Sequence, residues 1–246
     1  MTAQPLAPLT RDRVTNLIDR MNGRRVVVVG DIMLDRYLIG DTDRLSPEAP
    51  VPVVTVRSSR LALGGAANVA ANIAAVGGTS LLAGAVGDDE HGKLIRTELA
   101  EKHLDDRFLV TVADRPTTTK TRVVARGQQV VRIDEEQDGP LASNDLARLW
   151  AVIDATMASA DALVLEDYNK GALAPALIRD AIAAARRRGV PVVVDPKFRH
   201  FFEYRGATVF KPNRRELEAA LGAGVDFALD PHSLVEIGRA SCRERV

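Results

Sequence analysis

The chain is poor in the residues that would mark several protein classes. It has one cysteine in 246 residues, which excludes a disulfide framework and a cysteine-based zinc cluster. Its four histidines show no paired metal-ligand spacing. Aromatics make up 4%, and no apolar run approaches the roughly eighteen residues of a membrane helix. The N-terminal residues carry charge and lack the compact apolar segment of a secretory signal. Neither sign of charge dominates: Lys plus Arg is 33 and Asp plus Glu is 33. With no basic run longer than Arg186, Arg187 and Arg188, that balance argues against a general nucleic-acid binder. The composition, 46% apolar and 27% charged, is that of a folded globular chain, and a cytoplasmic location is expected.

Familiar catalytic motifs are missing too. There is no GxxxxGK[ST] phosphate loop, no GxGxxG after the first apolar run, no GxSxG and no HExxH, so phosphate chemistry here would need another architecture. The last eleven residues read EIGRASCRERV. Back-translated, they resemble a short-read sequencing adapter closed by a stop codon. The authentic sequence is therefore expected to end near Val235, with residues 1–235 a truncated domain and 236–246 an artefact that includes Cys242.

What is present alternates. Short Val-rich runs at residues 25–29, 81–86, 162–165, 191–194 and 208–210 fit strands buried on both faces. Helical patterns fill the intervals at 11–21, 66–76, 92–101, 144–157, 175–188 and 214–221. Ser143 or Asn144 is an expected N-cap, and Gly189 a C-terminal stop. The fold class is α/β with a mostly parallel sheet. Residues 36–57 and 108–134 instead alternate polar and apolar, as strands with one face in water or against a partner do. They predict a small second sheet beside or over the first.

The segment Gly64-Gly65-Ala66-Ala67-Asn68 opens the second helical pattern. Two readings stand: glycines that let backbone approach a ligand at a helix start, or small residues that let an Ala-rich helix pack closely. The wider spacing narrows the choice. Gly64, Gly65, Ala66, Asn68 and Ala70, followed by Gly77 and Gly87, then the segment from Gly87 to Gly92, then Asn213-Arg214-Arg215-Glu216, resemble the ordered motifs of ribokinase-like (phosphofructokinase-B type) sugar kinases. Longer stretches are similar to the kinase module of bacterial heptose 7-phosphate kinases. These are residues 29–37, 44–53 and 128–132, the Asp167-Tyr168-Asn169-Lys170-Gly171 run, and Asp195-Pro196-Lys197. Phe198 and Leu63 depart from that pattern, standing where Gly and Pro are common.

The resemblance implies a ribokinase-like three-layer sandwich with a β lid, an ATP and Mg²⁺ requirement, a heptose phosphate substrate, and a homodimer formed through lid strands. It implies that Asp35 binds sugar hydroxyls, although a cap or turn role is the alternative. Gly64, Gly65 and Asn68 would contact sugar oxygens. Arg44 and Lys120 are candidates for the distal phosphate, against an equally weighted solvated-surface role. Lys170 would reach substrate or nucleotide phosphate. Asn213, Arg214, Arg215, Glu216 and Lys197 would lie by the nucleotide, Glu216 acting on the metal through water. The family's GAGD segment, whose Asp is the catalytic base, occurs nowhere between Met1 and Val246. The resemblance therefore implies a chain of 246 residues without turnover of its own.

Overall fold

The computed structural model describes residues 9–222 and residue 224, so the expected artefact at 236–246 lies outside the described residues. Ten strands and six α-helices follow in the order α1 (Arg11–Met21), β1 (Arg25–Gly30), β2 (Ile32–Leu45), β3 (Pro52–Gly65), α2 (Ala66–Ala75), β4 (Thr79–Gly87), α3 (Glu90–Glu101), β5 (Leu109–Val112), β6 (Thr119–Ala125), β7 (Gln128–Glu135), α4 (Ser143–Met157), β8 (Ala162–Glu166), α5 (Pro175–Arg187), β9 (Val192–Asp195), β10 (Val209–Phe210) and α6 (Arg214–Leu221).

Two sheets result. The main one is parallel, in the order β10-β9-β8-β1-β4-β5. Its continuous apolar runs exist because successive side chains point to opposite faces and both faces are covered. Val27 and Val29 face the α4 and α5 side, packing with Leu149, Ile153, Ile178 and Ile182. Val28, between them, faces α2 and α3 with Ala66, Ala70, Ile95 and Leu99. The small residues of α2 let it lie close on that face. Cover thins toward β10, where Val209 is 47% exposed.

The second sheet has the order β3-β2-β6-β7. It departs from the sequence expectation in two ways. Residues 108–134 do not all belong to it: β5 pairs in parallel with β4 and extends the main sheet, because Leu109, Val110 and Val112 are buried there. Its strands also begin earlier and end later than 36–57. β2 starts at Ile32, and β3 runs through the double glycine to Gly65, with Gly64 opposite Met33. The expected glycine loop is therefore a strand end that turns directly into α2. At α4, neither Ser143 nor Asn144 is the cap; Ala142 is, with no side-chain hydrogen bond. Gly189 does follow the end of α5, in the left-handed region at φ 69°.

Candidate active site at the junction of the two sheets

The junction is built on Asp31, the residue between β1 and β2. It is 3% exposed. Its Oδ2 accepts the backbone N–H of Tyr168 at 2.8 Å and of Lys170 at 2.9 Å, and its Oδ1 that of Ala172 at 3.0 Å. Burial pushes its carboxyl above the ordinary aspartate value, against the opposing pull of those amides. Its carbonyl oxygen accepts the N–H of Ala66 at 2.9 Å and so caps the start of α2. One residue thus fixes the loop after β8 against the beginning of the sugar-kinase-like glycine segment. Sequence reasoning passed over Asp31; its signal was an acid directly after a Val-rich strand ending in Gly30.

Asp35 stands not at the end of the first strand, nor in a cap or turn, but in the second strand. It lies within β2, opposite Ala62 of β3 and beside Lys120 of β6, because the chain re-enters extended structure at Ile32. Its Oδ1 is ion-paired with the Arg122 guanidinium. Its Oδ2 points toward Gly64: a Cβ on that glycine would come within 3.0 Å of it. Asp35 and Gly64 are therefore in van der Waals register, with one carboxylate oxygen held and the other open to a hydroxyl. Gly65 has φ 55°, and a Cβ there would lie 2.2 Å from the Asp31 carbonyl oxygen. Asn68, the third residue of α2, is exposed and lines a groove with Arg60, Ala62 and Asn72.

Two of the other candidates converge from both sheets, and one does not. Lys120 donates to Asp134 at 3.1 Å and to Glu136 at 2.8 Å. Lys170 donates to Glu136 at 2.7 Å and to Asp138 at 2.8 Å. Glu136 therefore bridges the lysine of the second sheet and the lysine of the main-sheet loop. Arg115 holds the same loop from behind, donating to the carbonyl oxygens of Gly139 at 3.1 Å and of Lys170. Arg44 stands apart: it pairs with Val53 near the far end of β2, nine residues or about 30 Å of strand from Asp35.

The remaining candidates gather at the C-terminal ends of β8 and β9, where ligands of open parallel sheets collect. Asn213 caps α6, accepting the Glu216 N–H at 2.9 Å, and Glu216 Oε2 returns the bond by accepting the Asn213 N–H at 2.8 Å. This reciprocal box accounts for the spacing of the two residues. The other oxygen of Glu216 is ion-paired with Lys197, whose ammonium also sits 5.0 Å from the centre of the Tyr168 ring. Arg214 pairs with Glu218 at 2.8 Å, and Arg215 is exposed.

Two acids occupy neighbouring strand ends here, Glu166 and Asp195. Burial, and then the charge of Asp195, push the Glu166 carboxyl up to about 7. Lys211 balances Asp195 at 3.0 Å. Among the described residues no group of three or more acids or histidines forms a metal cage, and both Glu216 oxygens are engaged. A Mg²⁺ that arrives on phosphate oxygens and keeps its waters would need no such cage, and Lys197 and Lys211 are cations that could face such phosphates.

Residues 24–239 match the model of the pfkB family of carbohydrate kinases. The chain belongs to that family. It is 45% identical over 211 residues to the bifunctional protein HldE of Caulobacter sp. (strain K31), covering 86% of this chain and 43% of that protein. It is 41% identical over 238 residues to the HldE of Citrifermentans bemidjiense, covering 96% of this chain and 48% of the relative. The chain thus spans less than half the length of these relatives. The fold is similar to tetrameric phosphofructokinase-2 from Escherichia coli (TM-score 0.68, 18% identity, 89% of this chain and 71% of that one). It is also similar to Arabidopsis thaliana ribokinase complexed with ribose and ATP (TM-score 0.62, 19% identity, 89% and 69%). The expected ribokinase-like α/β fold, with its parallel sheet and second sheet, is the one found.

Proposed function

We propose that the whole protein transfers the γ-phosphoryl group of ATP to the anomeric hydroxyl of D-glycero-D-manno-heptose 7-phosphate, a step toward ADP-heptose and lipopolysaccharide core. The observation that carries this reading is the Asp35–Gly64 pairing. A carboxylate fixed on one oxygen by Arg122 faces a backbone position kept open by the absence of a Cβ, which suits a polyol hydroxyl. ATP would supply the phosphoryl group and Mg²⁺ the charge neutralisation. The chain's own residues would bind and orient: Asp35, Gly64, Gly65 and Asn68 on the sugar, and Lys197, Asn213, Arg214, Arg215 and Glu216 around the nucleotide. Lys170, tied to Glu136 and Asp138, lies between the two groups. In this reading the protein works in the cytoplasm as a homodimer. No described helix is long and apolar enough to cross a membrane.

The test is a chimera in which residues 1–235 are joined to the C-terminal segment of a relative and assayed across a panel of sugars and sugar phosphates. Preference for phosphorylated heptose supports the substrate. Preference for ribose or fructose 6-phosphate moves the protein to another branch of the family. A second reading applies to these 246 residues alone and rests on the missing GAGD segment: a sugar-phosphate-binding chain without turnover. A lost general base costs about 10²–10⁴-fold and a lost oxyanion-type donor about 10²–10³-fold. Phosphorylation that depends on Mg²⁺ and disappears in Asp35→Ala would overturn that second reading.

A further inference from the structure

The register of the second sheet sets side chains in rows across its strands, and two adjacent rows share one face. The first row is Ala62, Asp35, Lys120 and Asp134; the second is Arg60, Tyr37, Arg122 and Arg132. They are one pleat repeat apart, about 6.7 Å. The contacts confirm the common face. Arg60 and Arg122 lie 4.7 Å and 5.3 Å from the centre of the Tyr37 ring, Arg122 is paired with Asp35, and Arg132 donates to Asp134 at 2.8 Å and 2.9 Å.

Three guanidiniums therefore stand in one cross-strand row that contains no acid. Like charges side by side on a sheet destabilise it, so such a row needs a reason. Asp35 and Asp134 each hold one guanidinium from the neighbouring row. Arg60 has no carboxylate partner among the described residues; its contact is the Tyr37 ring. Positive charge is left over at this end, on planar forks that match phosphate oxygens in pairs. Lys120, by contrast, already serves two carboxylates.

The direction along the strands matters as well. Gly64 and the Lys170 loop lie on the main-sheet side of Asp35, and the arginine row lies on the opposite side. A sugar anchored at Asp35 with its accepting hydroxyl toward the main sheet would extend its tail over the arginines. We propose that Arg60, Arg122 and Arg132, spaced by Tyr37, form the receptor for the terminal phosphate of a sugar-phosphate acceptor. The proposal rests on the sugar-kinase reading of Asp35 and names the group that would select phosphorylated over free sugar.

The experiment is calorimetric titration of the 246-residue protein, and of its Arg60→Gln, Arg132→Gln and Arg60→Lys variants, with heptose 7-phosphate and with unphosphorylated heptose. Circular dichroism checks that each variant is folded. The wild type is expected to favour the phosphorylated sugar. Each Gln variant should lose about tenfold in affinity for it, or about 1.4 kcal/mol, while affinity for free heptose stays within about twofold; Arg60→Lys should recover part of the loss. Equal binding of the two sugars by wild type, or a phosphate preference untouched in both Gln variants, overturns the arginine receptor and leaves the sugar site standing. Folded wild type that binds neither sugar overturns the sugar site and the receptor together.

Discussion

Lys170 and Glu136 meet at 2.7 Å, joining the loop after β8 to the segment that follows β7 and so coupling the two sheets. Glu136 also accepts from Lys120. Burial raises its carboxyl, but the two ammonium partners outweigh that and hold it below the ordinary glutamate value of 4.5. A depressed carboxylate contributes stability that is present above its unfolded pKa and is lost as pH falls through the folded one. Glu136→Gln should therefore destabilise the protein by about 1–3 kcal/mol at neutral pH. The difference from wild type should shrink as the pH falls below 4.5. Urea denaturation at several pH values measures it; a constant difference would show that packing, not charge, is what the substitution removes.

Glu166 carries the opposite sign. Its folded value of about 7 lies above its ordinary 4.5, so the folded state holds a proton that the unfolded state releases. Stability is full below 4.5, falls as pH rises toward about 7, and is level beyond it. Glu166→Gln removes that slope. Relative to wild type, the variant should gain up to about 3 kcal/mol between the acidic and the alkaline side of the window. If the two proteins show parallel stability profiles, Glu166 titrates as an ordinary surface acid.

Much of this architecture was legible in the sequence because the main sheet is covered on both faces. Runs such as Val26 to Val29 could be nothing but buried, and their period with the helices fixed the α/β class. The helix Arg11–Met21 matches the sequence reading at both ends, set by Thr10, which caps it through its hydroxyl. The second sheet was less legible. Its face carries Asp35 ion-paired with Arg122, and Lys120 with Asp134 and Glu136, and such pairs depend on strand register, which no single segment encodes. For the same reason Arg122 and Arg60 escaped notice while Arg44, equally basic, drew it. Asp31 was hidden by local resemblance: two acids four residues apart compete for one role, and only burial separates them.

The two glycines beside the site should respond differently to a methyl group. At Gly65 a Cβ would collide with the Asp31 carbonyl oxygen at 2.2 Å, in a left-handed backbone. Gly65→Ala should cost several kcal/mol, with strain of about 1–3 kcal/mol from the backbone alone. At Gly64 the nearest atom is the Asp35 carboxylate at 3.0 Å, a side chain that can turn aside. Gly64→Ala should fold within about 1 kcal/mol of wild type yet lose sugar binding. Thermal melts and calorimetry separate the two effects, and a Gly64→Ala protein with unchanged sugar affinity would move the sugar away from Asp35.

The face of the second sheet opposite the arginine row is mostly apolar and opens to water at β7. Ser59, Leu38, Val123 and Val131 share one row, and Leu61, Arg36, Thr121 and Ile133 the next. Val131 is 47% and Ile133 49% exposed. Among the described residues both outer strands, β3 and β7, lack a neighbour on one side. Exposed β-branched residues on a sheet with free edges invite a partner surface, and a second copy of the same face would bury the apolar rows against each other. A stable interface of that kind removes about 1,200–2,000 Å² in total. The protein should therefore scatter light as a dimer at micromolar concentration. The paired substitution Val131→Lys and Ile133→Lys should yield a folded monomer, because both side chains already face water in one subunit and lose nothing internal. Dimers that survive the substitution would place the contact elsewhere, and a monomeric wild type would leave this face to another partner.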